Sequence, residues 1–173
     1  MPKLWSKNNP IAHARVLELL RYDPETGHFY WRVDRPGRWN IKAGSLAGSI
    51  GKGGYRYIVI DRLSCQAHTL AWFYTHNKWP DFQIDHRNLV HDDNRIDNLR
   101  EASGTQQRAN QRVRKDSSTG LKGVGLTRQG KYRAQIAKSG VQYHLGHYDT
   151  PEEASAAYAK AADRLFGEFA RAA

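Results

Sequence analysis

Two glycine-containing turns, Gln129-Gly130 and Ser139-Gly140, cut the stretch from 122 to 148 into three strand-length pieces, and a helix start follows at once. Glycine supplies the backbone freedom that tight hairpins need, so Lys122–Arg128, Tyr132–Lys138 and Val141–Tyr148 read as antiparallel strands. Thr150-Pro151-Glu152-Glu153 joins an N-cap hydroxyl, a proline at the first helical position and a glutamate at the third, and predicts a helix to Leu165 or Phe166. An alternating sheet and an alanine-rich helix must bury their apolar sides on each other, which sets the fold class as α+β.

The rest of the 173 residues is organised differently. Ile11, Val16, Leu17, Leu19 and Leu20 give an amphipathic helix over 11–21, stopped by the turn Asp23-Pro24-Glu25-Thr26-Gly27. Strands are expected at 28–33, 55–61 and 82–86, a long irregular arm over 34–54, and helices at 67–76 and 99–112. The polar run 103–116, followed by Ser117, Ser118 and Gly120, reads as a joint between two modules. Cys65 is the only cysteine, so an internal disulfide and the four-cysteine or two-Cys/two-His zinc sites are excluded. No apolar run approaches the roughly 20 residues that span a bilayer, and the N-terminus lacks a signal peptide's apolar core, so a cytoplasmic protein with no membrane partner is expected.

Twenty-seven Lys and Arg against 17 Asp and Glu leave a net charge of +10, which favours a polyanionic partner. Between Ser118 and Tyr148 stand Lys122, Arg128, Lys131, Arg133 and Lys138 with no acid among them, whereas the acids of this end gather beyond Asp149. The chemistry concentrates elsewhere, in Ile84-Asp85-His86 and Asp93-Asn94-Arg95-Ile96-Asp97-Asn98. A carboxylate that holds a hard divalent cation and a neutral imidazole that faces water supply a Lewis acid and a general base for phosphodiester hydrolysis. Alternation sends neighbouring side chains to opposite faces, so Asp85 and His86 serve one site only at a strand edge.

Trp79-Pro80, Ile84-Asp85-His86, Asp93-Asn94-Arg95, Asn98-Leu99-Arg100 and Gln106-Gln107 resemble the HNH homing-endonuclease-like nucleases of phages. Tyr22-Asp23-Pro24-Glu25-Thr26-Gly27 and His68-Thr69-Leu70-Ala71-Trp72 extend the likeness over about residues 10–114. The resemblance implies a ββα-metal core at about 67–112, with His86 as general base, Asn98 orienting its ring and Asp85 as metal ligand. Gln107 falls where the family carries a second ligand, usually histidine or asparagine, and Asn110 one turn later is the alternative. It further implies magnesium, or manganese, rather than a structural zinc, double-stranded DNA as the substrate, and a phage-infected bacterial cytoplasm as the setting. Asn94 is read as a loop former, Arg95 as a phosphate contact, His68 as structural, and His13, His28, His76 and His91 as solvent-exposed.

The C-terminal pattern, from Gly123-Val124 through Tyr132-Arg133-Ala134-Gln135-Ile136 to His144-Leu145-Gly146-His147-Tyr148-Asp149-Thr150, resembles the APETALA-two/ethylene-response-factor DNA-binding domain. In that family the outer face of the sheet enters the major groove. The candidates here are Arg128, Lys131, Arg133, Gln135, Lys138, Gln142 and His144, since arginine and glutamine read base edges and lysine neutralises phosphate. Tyr132 stands where plant members carry tryptophan. The expected organisation is a nuclease domain at 1–114, a linker at 115–120 and a DNA-binding domain at 121–173, with no obligate protein partner. The competing class is a non-catalytic DNA-binding regulator on an HNH-like scaffold.

Overall fold

A computed structural model describes residues 3–4, 11–37, 40–113 and 116–171. The chain divides into two compact units, Met1–Glu101 and Ala102–Ala173.

In the first unit β1 (Lys3–Leu4) is followed by α1 (His13–Leu19), and the chain passes straight into β2 (Leu20–Asp23), which pairs antiparallel with β3 (His28–Trp31). The helix expected to reach residue 21 therefore ends at Leu19. Leu20 and Tyr22 alternate inward on the strand, and both are buried in the core. Next come β4 (Ser49–Ile50), β5 (Arg56–Ile60) and β6 (Leu63–Gln66), which form one sheet in the order β1-β6-β5-β4. Strand β6 has no counterpart in the sequence reading, where Asp61-Arg62 hides a two-residue hairpin turn without glycine, both residues at positive φ. Helix α2 (Ala67–His76) lays Leu70, Ala71 and Phe73 into a core shared with Val16, Leu20, Phe29, Ile58 and Ile60. Strands β7 (Gln83–His86) and β8 (Leu99–Ala102) then pair across the polar loop 87–98.

The helix expected over 99–112 is thus a strand followed by a shorter helix, α3 (Gly104–Asn110). Ser103 fixes the start: its side chain accepts from the Gln106 amide, and Gln106 Oε1 accepts from the Ser103 amide at 2.8 Å.

In the second unit β9 (Val124–Leu126), β10 (Tyr132–Lys138) and β11 (Val141–Tyr148) form the antiparallel sheet β11-β10-β9, covered by α4 (Pro151–Phe166). The Thr150–Glu153 capping box and Pro151 stand as expected. Ala102 and Ala109 pack with Ile136, Tyr158, Ala162 and Phe166, which draws α3 into this unit. Lys122 reinforces that contact by donating its ammonium protons to the carbonyls of Ala109 and Gln111 at the end of α3. The compact division consequently falls between 101 and 102, ahead of the expected linker at 115–120, of which Lys115 lies outside the described residues. No helix among the described residues is long and apolar enough to cross a membrane.

Candidate active site

Strand β7 is short and buried at Ile84, Asp85 and His86, so both members of the dipeptide are enclosed rather than one turned to solvent. Arg100, on the paired strand β8, donates to Asp85 Oδ2 from Nε at 2.9 Å, and its second nitrogen also lies 2.9 Å from that oxygen. Both side chains are almost wholly buried, so each charge has its counter-charge in place.

His86 meets Asn94. The ring Nε2 lies 3.3 Å from Asn94 Oδ1, and Asn94 Nδ2 donates to the Asp92 carbonyl at 3.1 Å. The second bond fixes which end of the amide faces the ring: Oδ1 can only accept, so His86 carries its proton on Nε2 and Nδ1 is the basic nitrogen. The residue expected to orient the ring, Asn98, does something else. Its Oδ1 accepts from the Asn88 amide at 3.1 Å and its Nδ2 donates to the Asp93 carbonyl at 2.8 Å, closing the loop that presents Asn94. Spacing alone does not distinguish two asparagines in one polar loop. Arg95 is likewise engaged, with Nε and a terminal nitrogen on the two oxygens of Asp93 at 2.7 and 2.6 Å. Asp92 is occupied by the buried Arg56.

An aromatic wall surrounds His86, and sequence reasoning missed most of it. His68, at the start of α2, stands edge-on to His86 with ring centres 5.1 Å apart, and Tyr55 lies 5.5 Å from His68. His91, expected to be a free surface histidine, stacks flat on Tyr55 at 4.1 Å and holds the Gly53 carbonyl through Nδ1 at 2.6 Å. The signal was three histidines and a tyrosine whose separation along the chain concealed their meeting. Desolvation holds His86 below the ordinary histidine range, with repulsion from His91 adding to it and the Asn94 bond opposing it. Burial, followed by repulsion from His86 and His91, pushes His68 down to about 3.

Gln107 and Asn110 stand on α3 in the second unit, Gln107 half-buried and Asn110 buried. Among the described residues no three His, Cys, Asp or Glu side chains are grouped to hold a metal ion. A magnesium-type cation accepts one or two carboxylates and keeps its remaining positions for water and phosphate. Asp85, a hard oxygen donor beside a neutral imidazole, fits that minimal demand.

On the second unit's sheet, Ala134 and Ile136 point to α4, and Arg133, Gln135 and Ala137 point outward. Gln135 pairs with His144, Arg133 with His147 and Ala137 with Gln142, so these partners share the outer face. A bulge at Leu145 lets His144 and His147, three residues apart, stand on one side with ring centres 4.7 Å apart. His147 therefore shares the outer face with His144 and Gln135. Lys138 has the parity of Ile136, and its ammonium donates to the Leu165 carbonyl of α4 at 3.0 Å. Lys131 pairs with Asp149 at 2.6 Å, and Arg128 is exposed in the turn after β9.

Residues 65–109 match the family model described as HNH endonuclease, a segment that contains Asp85, His86, Asn94 and Asn98. An uncharacterized HNH endonuclease of Acanthamoeba polyphaga mimivirus is 32% identical over 123 residues, covering 70% of this chain and 63% of that protein. The chain thus spans less than two thirds of that relative's length. No solved structure matches it. The stretch similar to the HNH endonuclease family model thus includes α2, β7 and β8.

Proposed function

We propose that the protein is a metal-dependent DNA endonuclease, in which the first unit cuts and the sheet of the second unit, with its APETALA-two-like pattern, places the cut. The observation that carries this is the buried His86 on β7, its tautomer set by Asn94 and its basic nitrogen left to Nδ1, inside the HNH endonuclease match. Enclosure keeps the ring neutral near pH 7, the form in which it takes a proton from water. Asp85 would hold the cation, and a bound divalent cation supplies charge stabilisation to a phosphodiester in the transition state. His86 accepts the proton of the attacking water, and Asn94 holds the imidazole against rotation while the charge on the ring develops. Arg100 supplies the counter-charge to the buried Asp85 carboxylate.

A second reading is favoured by the same ion pair: with Arg100 already balancing Asp85, the first unit would serve as a DNA-binding scaffold without turnover. A plasmid-nicking assay with and without magnesium separates the two. The nuclease reading expects magnesium-dependent nicks with 5′-phosphate ends, and His86→Ala is expected to lower the rate by about 10²-fold or more with DNA affinity retained. Absence of nicking at any magnesium or manganese concentration, with DNA affinity intact, establishes the scaffold reading.

A further inference from the structure

Asn94 has no exposed surface, and it is held at its backbone as firmly as at its amide. The Tyr22 hydroxyl donates to the Asn94 carbonyl at 2.8 Å in a buried bond that spans 72 residues of chain. Tyr22 is itself fixed by ring contacts with Phe29 at 4.9 Å and Tyr74 at 5.7 Å, so its hydroxyl has one direction. Beside it, Gly27 turns the β2–β3 hairpin with φ +73°, and a Cβ at that position would overlap the backbone of Asn94 and Arg95. The hairpin tip thus touches the Asn94 peptide at two points, one a hydrogen bond and one a backbone contact that only glycine allows.

We propose that Tyr22 and Gly27 are positioning residues for the reaction: they fix the Asn94 peptide, and through the Asn94 amide they fix the orientation and tautomer of His86. The proposal rests on the reading of His86 as the general base. At 3.3 Å the Asn94–His86 bond is at the long end of the range in which such bonds persist, so a small rotation of the Asn94 peptide is enough to break it. Misplacement of a catalytic group by about 1 Å costs as much as 10²-fold in rate without touching substrate binding. The hairpin, far from His86 in sequence, therefore belongs to the catalytic apparatus rather than only to the core.

The test uses the full chain with Tyr22→Phe, which removes one hydroxyl and keeps the ring packing, and Gly27→Ala, which pushes the Asn94 peptide and keeps the hydroxyl. Tyr30→Phe removes a hydroxyl from the opposite face of the same hairpin, where the Tyr30 ring lies under Arg21 and not against Tyr22, and serves as the control. Plasmid nicking is expected to show kcat lowered about 10-fold in the first two variants, with KM within about twofold of wild type and the control near wild type. Nitrogen-15 histidine spectra are expected to show His86 as the Nε2–H tautomer in wild type and control, and as a mixture in Tyr22→Phe and Gly27→Ala. Wild-type kcat and an unchanged tautomer in both variants overturn the proposal and leave the nuclease reading standing. If the wild-type protein does not nick DNA, the nuclease reading falls and the spectra alone decide: mixed tautomers support the brace, and unchanged ones overturn it.

Discussion

Asp85 Oδ2 lies 2.9 Å from two nitrogens of Arg100, one strand carrying the carboxylate and its hydrogen-bonded neighbour the guanidinium, and both side chains are almost wholly buried. Removing one partner of such a pair strands the other charge in a low-dielectric site. Arg100→Met is expected to lower stability by about 3 to 5 kcal/mol in urea unfolding. The double variant with Asp85→Asn should regain much of that loss, because the stranded charge is gone. Additive single losses in the double-mutant cycle would show that the two residues do not act as a pair.

Gln107 tests the second cation donor. Its amide oxygen sits one methylene further out than that of asparagine, with one more rotor to immobilise. Gln107→Asn is expected to lower the magnesium concentration for half-maximal nicking. An unchanged titration assigns the donor to Asn110 or to water.

The sheet of the second unit separates its basic residues into two groups that the sequence lists together. Arg133→Ala is expected to weaken DNA binding, either by lowering the salt slope by about 0.9 as a phosphate contact or by costing about 1 to 3 kcal/mol at one base pair as a base contact. Lys138→Met, at a residue whose ammonium is held by the Leu165 carbonyl on the helix side, is expected to leave the salt slope unchanged. Titrations of both variants at several salt concentrations, read by fluorescence anisotropy, distinguish these outcomes.

His68 makes the first unit acid-sensitive. Its folded value of about 3 lies below the ordinary 6.5, so the unfolded chain takes up the proton first as pH falls. The stability it contributes is complete above about 6.5 and is lost progressively from there toward about 3, at up to about 1.4 kcal/mol per pH unit. His68→Gln is expected to flatten the fall in stability over that window, measured by urea unfolding from pH 7 to pH 4. A wild-type slope in the variant would assign the acid sensitivity to other groups.

Much of this was legible from local chemistry. The capping box at Thr150 and Glu153, the hairpin turns at Gly130 and Gly140, and α2 all follow from signals within a few residues of one another. The dipeptide Asp85-His86 was readable for the same reason. What escaped depends on the folded chain: Leu99–Ala102 has a helical neighbour and only its pairing with β7 makes it a strand. Asn94 and Asn98 differ only in what lies beside them, and Tyr55 and His91 gain meaning from a stack that joins distant loops. Lys138 looked like its basic neighbours until the parity of β10 placed it on the helix side.

The bulge in β11 inserts Leu145, which packs against the core under α4, between His144, paired with Gln135, and Gly146, paired with Ala134, so that His147 still faces outward opposite Arg133. Interior and exterior are thereby uncoupled along this strand. Side chains on the outer face can be exchanged over successive generations without repacking a single residue beneath. The same strand offers an engineer a surface to randomise whose scaffold is held by contacts on its opposite side.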